Sequence, residues 1–101
     1  LYFFESYAIL SLVTEKRGFM SKQAKLLEKL KNNSALKWDE LATLLKSLGF
    51  ELIHGAGSRR KFWHQSSNTL INLHQPHPQP ELKRYQKTLV LEALQNGGFL
   101  S

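Results

Sequence analysis

Four histidines, at positions 54, 64, 74 and 77, are the side chains of this sequence that ordinarily titrate near neutral pH. Imidazole is the natural general base or acid there, and metal-free cleavage of RNA uses one to take the proton from a ribose 2′-hydroxyl. The run His74-Gln75-Pro76-His77-Pro78 puts two imidazoles at the end of an expected strand, in a loop stiffened by prolines. Such rigid placement is what a positioned acid/base group needs, so His74 and His77 are the candidate catalytic residues. His54 and His64 read instead as polar strand positions.

The turn Gly57-Ser58-Arg59-Arg60-Lys61 supplies a second component. Glycine lets backbone N–H groups approach a phosphate, Ser58 adds a hydroxyl donor, and three successive cations add charge. A turn of this composition suits a backbone phosphate and the negative charge that develops on it during phosphoryl transfer. The plainer alternative is a hairpin turn leading into an exposed basic strand. Lys83, Arg84 and Lys87 extend the basic patch along a helix, unless that face is merely solvated. A zinc site from the His-x-x-His spacing has little support. There is no cysteine, no Glu beside the pair, and no spacing of a known zinc pattern. Neither a metal nor another cofactor is expected. Of Phe62 and Trp63, one must face away from the core if their strand alternates, and an outward Trp63 suits either a stacked base or a protein partner.

These groups need a scaffold, and the sequence outlines one. Ser21 caps a first helix, Lys22 to Lys31, with Leu26, Leu27 and Leu30 on one side. Asn32-Asn33-Ser34 turns the chain. A second helix runs from about Trp38 to Leu48, and Gly49 stands where a left-handed C′ residue belongs. Three strands follow, Phe50 to His54, Arg59 to His64 and Thr69 to His74, separated by turns at Gly55–Ser58 and Gln65–Asn68. After the proline-rich loop 75–80, a last helix spans about Glu81 to Gln95, with the stripe Leu82, Tyr85, Leu89, Val90 and Ala93. It stops at Asn96-Gly97-Gly98. The order α-α-β-β-β-α predicts an α+β fold, a three-stranded antiparallel sheet with helices packed on one face. Double-stranded-RNA-binding folds share that layout, although a layout alone fixes no function.

With 101 residues, 42% of them hydrophobic, the chain can bury one core. Residues 1–19 carry two bases and two acids, so the net charge of +6 lies in residues 20–101, as 12 basic against 6 acidic side chains. That excess suits a polyanion, because each phosphate contact releases counterions. Leu1 to Val13 is apolar but shorter than the ~20 residues that span a bilayer, and it lacks the basic flank and cleavage site of a secretory signal. Met20 reads as the natural start, with residues 1–19 as an extension that has no assigned function. The absence of cysteine fits a reducing cytoplasm, and no membrane partner is expected.

Several of these motifs together resemble a family. Leu48-Gly49-Phe50-Glu51-Leu52, then Gly57-Ser58, an aromatic-containing strand, a third strand ending in His-x-Pro-His-Pro, and a closing helix ending in Asn-Gly-Gly are similar to the HicA toxins. The resemblance covers roughly residues 20–100 and rests on order and spacing together. It implies a small ribonuclease that degrades mRNA and is silenced by a HicB antitoxin. Members of the family commonly carry a catalytic histidine directly after the Gly-Ser, where this chain has Arg59. The sequence looks more like a branch with Gly-Ser-Arg in the turn and a helix ahead of the usual core. A guanidinium stays protonated at neutral pH and cannot act as a base. Two readings follow. Either His74 or His77 takes the base role while Arg59, Arg60 and Lys61 clamp phosphate, or the domain is a noncatalytic module that binds RNA or an antitoxin. A DNA-binding regulator is the weaker third class, since no helix-turn-helix with a basic recognition helix is visible.

Overall fold

Ser21 accepts the Ala24 N–H through its hydroxyl at 3.1 Å and starts α1 (Lys22–Lys31). This is the first element of the computed structural model, which describes residues 21–100. The extension 1–19 and the expected start at Met20 lie outside the described residues. Then come α2 (Trp38–Ser47), β1 (Glu51–His54), β2 (Arg59–His64), β3 (Thr69–His74) and α3 (Arg84–Asn96). The α+β order α-α-β-β-β-α is therefore the one the sequence predicts.

The termini of α1 and α2, and the end of α3, follow from local chemistry. In α2, the Glu40 carboxylate reaches back to the Lys37 N–H at 3.0 Å and also takes the Lys29 ammonium at 2.8 Å, which ties α1 to α2. The Lys29 hydrogen bond, followed by the Lys37 N–H, holds this carboxyl below the usual glutamate range. Each helix ends in a paired set of backbone bonds around one left-handed residue: Asn33 (φ 57°), Gly49 (φ 99°) and Gly98 (φ 85°). After α2, for example, Phe50 N–H donates to the Leu45 carbonyl at 2.9 Å and Gly49 N–H to that of Lys46 at 3.0 Å. Phe50 thereby enters the core and is not the first residue of β1, as the alternation suggested.

The strands form an antiparallel meander in the order β1-β2-β3. The turns between them suit their residues: Ala56–Arg59 is closed by Arg59 N–H to the Ala56 carbonyl, and Gln65–Asn68 by Asn68 N–H to that of Gln65. Asn68 takes the left-handed conformation (φ 53°) that asparagine tolerates. Alternation sorts the two faces. Leu52, Phe62, Thr69, Ile71 and Leu73 turn toward the helices, and Trp38 packs on Phe62 with ring centroids 5.5 Å apart. Leu30, Leu41, Leu44, Leu45, Val90 and Leu94 close the core from the helical layer. The outer face carries Glu51 and Ile53 from β1, Arg59, Lys61 and Trp63 from β2, and Leu70, Asn72 and His74 from β3.

The last helix departs from the predicted stripe. It begins at Arg84, not Glu81, and its buried residues are Gln86, Lys87, Val90 and Leu94, whereas Tyr85 and Leu89 are exposed. The reason is a tertiary pairing. The segment 80–82 bridges to the residues ahead of α2, with Trp38 N–H donating to the Pro80 carbonyl at 2.8 Å and Leu82 N–H to the Leu36 carbonyl at 2.9 Å. Leu82 is buried there as part of an extended segment, and the helix starts only after Lys83, with its inward face turned by about one residue.

Gly49 is a sharp test of this architecture. Besides its positive φ, a Cβ there would meet the His64 ring at 3.0 Å. Gly49→Ala is expected to lower the unfolding free energy by about 1–2 kcal/mol, seen as a lower urea midpoint at unchanged slope. A parent-like midpoint would show that the turn relaxes freely.

Candidate active site

β2 and β3 bring the two sequence motifs to one end of the sheet. Arg59 lies directly opposite His74 in the register, and the Gln75 N–H donates to the Ser58 carbonyl at 2.8 Å just beyond them. The Arg59–His74 pair thus falls between ladder hydrogen bonds, where opposed side chains come closest. Ser58 Oγ stands 3.0 Å from His74 Nδ1, a hydrogen bond whose direction depends on the imidazole tautomer.

The loop that carries His77 is held at both ends. At its start, the Arg60 Nε–H donates to Gln75 Oε1 at 3.0 Å. At its end stands the Pro80–Leu82 bridge to Leu36–Trp38. From below, the buried Gln86 donates through Nε2 to the His74 carbonyl at 2.9 Å, while its Oε1 accepts the Lys83 N–H at 3.0 Å. One side chain therefore caps α3 and holds the backbone of the candidate base. Sequence reasoning missed Gln86, and the only signal was an amide in the helix segment that follows the histidines.

Open grooves surround this point. His74, His77 and Lys83 line one of about 330 Å³, together with Glu81 and Tyr85. Gly57, Ser58, Arg60 and His77 line a second of about 500 Å³. Arg59, Lys61, Asn72 and His74 line a third of about 370 Å³ on the outer face. His74 and His77 are exposed, as are Gly57, Ser58, Arg59 and Lys61.

Two expected phosphate ligands need correction. Lys87 is buried, only 7% exposed, and its ammonium donates to the Asn33 and Ser34 carbonyls at 3.3 and 3.0 Å. It fastens the turn after α1 and does not belong to the basic patch, because the shifted start of α3 carries it inward. The run Arg59-Arg60-Lys61 is not one cluster either. Strand alternation sends Arg59 and Lys61 to the outer face and Arg60 to the other. There the Arg60 guanidinium also donates to the Gly57 and Arg59 carbonyls at 2.9 and 2.7 Å, so it braces the turn.

His64 is a structural residue. Its ring lies between Phe50 and Phe99, with centroids 5.2 and 4.9 Å away, and Nδ1 meets Ser67 Oγ at 2.8 Å. Among the described residues, no group of three or more His, Asp or Glu side chains converges on a point that suits a metal ion. No helix among them is long and apolar enough to cross a membrane.

The fold and site define a small α+β domain with a basic, histidine-bearing sheet end. A family model described as the HicA toxin of bacterial toxin–antitoxin matches residues 38–95, from the start of α2 almost to the end of α3. The chain belongs to the HicA toxin family, and so to the toxin side of a toxin–antitoxin pair. No curated protein and no solved structure matches it.

Lys87→Met keeps the aliphatic stem and removes the donor. It is expected to cost about 1–2 kcal/mol of stability, seen as a lower urea midpoint at unchanged slope. A parental midpoint would show that the two carbonyl contacts contribute nothing to the fold.

Proposed function

We propose that this chain is a metal-independent endoribonuclease toxin that acts on mRNA in the cytoplasm and is silenced by a HicB-like antitoxin covering its active face. The observation that carries this reading is the His74 cluster, with Ser58 on Nδ1 and Arg59 directly across the ladder. The position that usually bears the family's histidine holds Arg59. Opposed residues of a close antiparallel pair have Cβ atoms only ~4.5–5.5 Å apart, so an imidazole supplied from His74 on β3 stays in the same neighbourhood. The guanidinium then takes the role of charge partner.

The chemistry runs on the tautomer in which His74 Nδ1–H donates to Ser58 Oγ. Nε2 is then the basic nitrogen and accepts the ribose 2′-hydroxyl proton. The 2′-oxygen attacks the adjacent phosphorus, and the bond from phosphorus to the 5′-oxygen breaks. A 2′,3′-cyclic phosphate remains on one fragment. The leaving 5′-oxygen takes a proton from a general acid, the role assigned to His77 beside the same groove. Arg59, Lys61, Lys83 and the Gly57-Ser58 turn, which Arg60 braces from the other face, meet the charge that grows on the phosphate oxygens. Gln86 positions His74 through its carbonyl.

The second reading, a noncatalytic module that binds RNA or an antitoxin, is favoured by one observation: Arg59 stands where the family's base is expected. Inducing the toxin without antitoxin separates the two. The parent chain is expected to arrest growth and fragment mRNA. His74→Ala and His77→Ala, made singly, should each slow cleavage by about 10²–10⁴-fold with folding intact by circular dichroism. Full toxicity in both variants would sink the histidine assignment, and a harmless, folded parent would favour the binding module.

A further inference from the structure

The outer face of the sheet continues the candidate site. Along β2 it presents Arg59, Lys61 and Trp63, and His74, Asn72 and Leu70 stand opposite them on β3. Phe62, next to Trp63, is wholly buried, so Trp63 necessarily takes the outer side, where it is half-buried. Its neighbours across the strands are Leu70, 46% exposed, and Glu51, and Ile53 one row along is 41% exposed. An indole ring flanked by exposed aliphatic side chains thus lies in line with two cations and the candidate base. Among the described residues, Glu51 is the one acidic side chain on the face.

From these observations we infer that the outer sheet face is a platform for unpaired RNA, with one base stacked on Trp63 while the strand runs along β2 to the phosphate at Arg59 and His74. The proposal rests on the ribonuclease reading and specifies its substrate class as single-stranded. Charge complementarity selects a polyanion, and the exposed ring selects one whose base faces are free. A base-paired duplex keeps those faces inside its own stack and offers the indole only sugar and phosphate edges. Stacking tolerates any base, so this contact confers strand state without sequence preference. The four-residue step from Arg59 to Trp63 spans about 13 Å of strand. At the ~3.4 Å rise of a stacked strand, the gripped base lies within about four nucleotides of the scissile phosphate.

The two tryptophans make the test direct. Trp38 is 5% exposed in the core, so a ligand that quenches indole emission by contact reports on Trp63. The full chain is titrated with a short 2′-O-methyl single strand, which lacks the attacking hydroxyl and reads binding apart from cleavage, and with the corresponding duplex at matched salt. The expected result is saturable quenching by the single strand and none by the duplex. Trp63→Ala should weaken single-strand binding by about 5- to 100-fold, and Trp63→Phe should retain most of it. Tight single-strand binding with unchanged emission, and equal affinity in Trp63→Phe and Trp63→Ala, would overturn the platform while leaving the histidine chemistry untouched. Quenching by a co-purified antitoxin but not by RNA would also overturn it and assign the face to a protein partner. If Trp63→Ala fails to fold, the parental emission and Trp63→Phe still decide the matter. Quenching by a single strand in a chain that cleaves no RNA would support the platform and refute only the nuclease.

Discussion

Two backbone hydrogen bonds, from Trp38 N–H to the Pro80 carbonyl and from Leu82 N–H to the Leu36 carbonyl, join chain segments more than forty residues apart, and much of the site depends on them. Prolines cannot donate to a ladder, so a loop with three of them needs other anchors to hold one shape. The bridge is that anchor at the far end of the loop, and the Gln75 contacts with Ser58 and Arg60 are the anchors at the near end. Between them His77 is carried on a short, braced segment, and His74 sits where that segment leaves the sheet. A domain of this size has little stability to spare, on the order of 5–15 kcal/mol. It is therefore economical that the same bridge also buries Leu82 and sets the start of α3.

The start of α3 in turn decides which side chains serve the core and which serve the site. With Lys83 just outside the helix, Gln86 falls under the His74 carbonyl and Lys87 under the turn after α1. Both polar side chains are buried, and both are satisfied, as burial of polar groups requires. Tyr85 and Leu89 are left facing solvent, with Tyr85 at the rim of the histidine groove. Helical phase, set by a contact outside the helix, thus distributes residues between packing and function.

That dependence explains how far the site could be read from the sequence. The spans of α1, β2 and β3 were legible to the residue because strong local signals flank them: the Ser21 cap, the Gly55–Ser58 and Gln65–Asn68 turns, and strict alternation in Thr69–His74. Gly49 was legible as a terminator because left-handed backbone favours a residue without a Cβ, and the end of the last helix was legible as the cluster Asn96-Gly97-Gly98. The approach of His74 to the Gly-Ser turn also follows from a meander, since the end of a third strand returns beside the start of the second. The phase of α3 was not legible. Periodicity alone admits two neighbouring stripes in residues 81–95, and the choice is made by the bridge to Leu36–Trp38, which leaves no local trace. The misplacement of Lys87 and the oversight of Gln86 share that single cause. Arg59, Arg60 and Lys61 part for a different reason, because a strand sends consecutive side chains to opposite faces.

In the proposed reaction an imidazole on β3, braced by Ser58 and Gln86, activates a ribose hydroxyl opposite Arg59. The termini of the RNA fragments test it most directly. Purified chain is incubated with a single-stranded RNA in the presence of a chelator, and the fragments are weighed by mass spectrometry. Attack by the 2′-hydroxyl predicts a 2′,3′-cyclic phosphate on one fragment and a free 5′-hydroxyl on the other, at a rate that the chelator does not change. Fragments ending in 3′-hydroxyl and 5′-phosphate would contradict the account, because a water molecule and not the ribose would then have been the nucleophile.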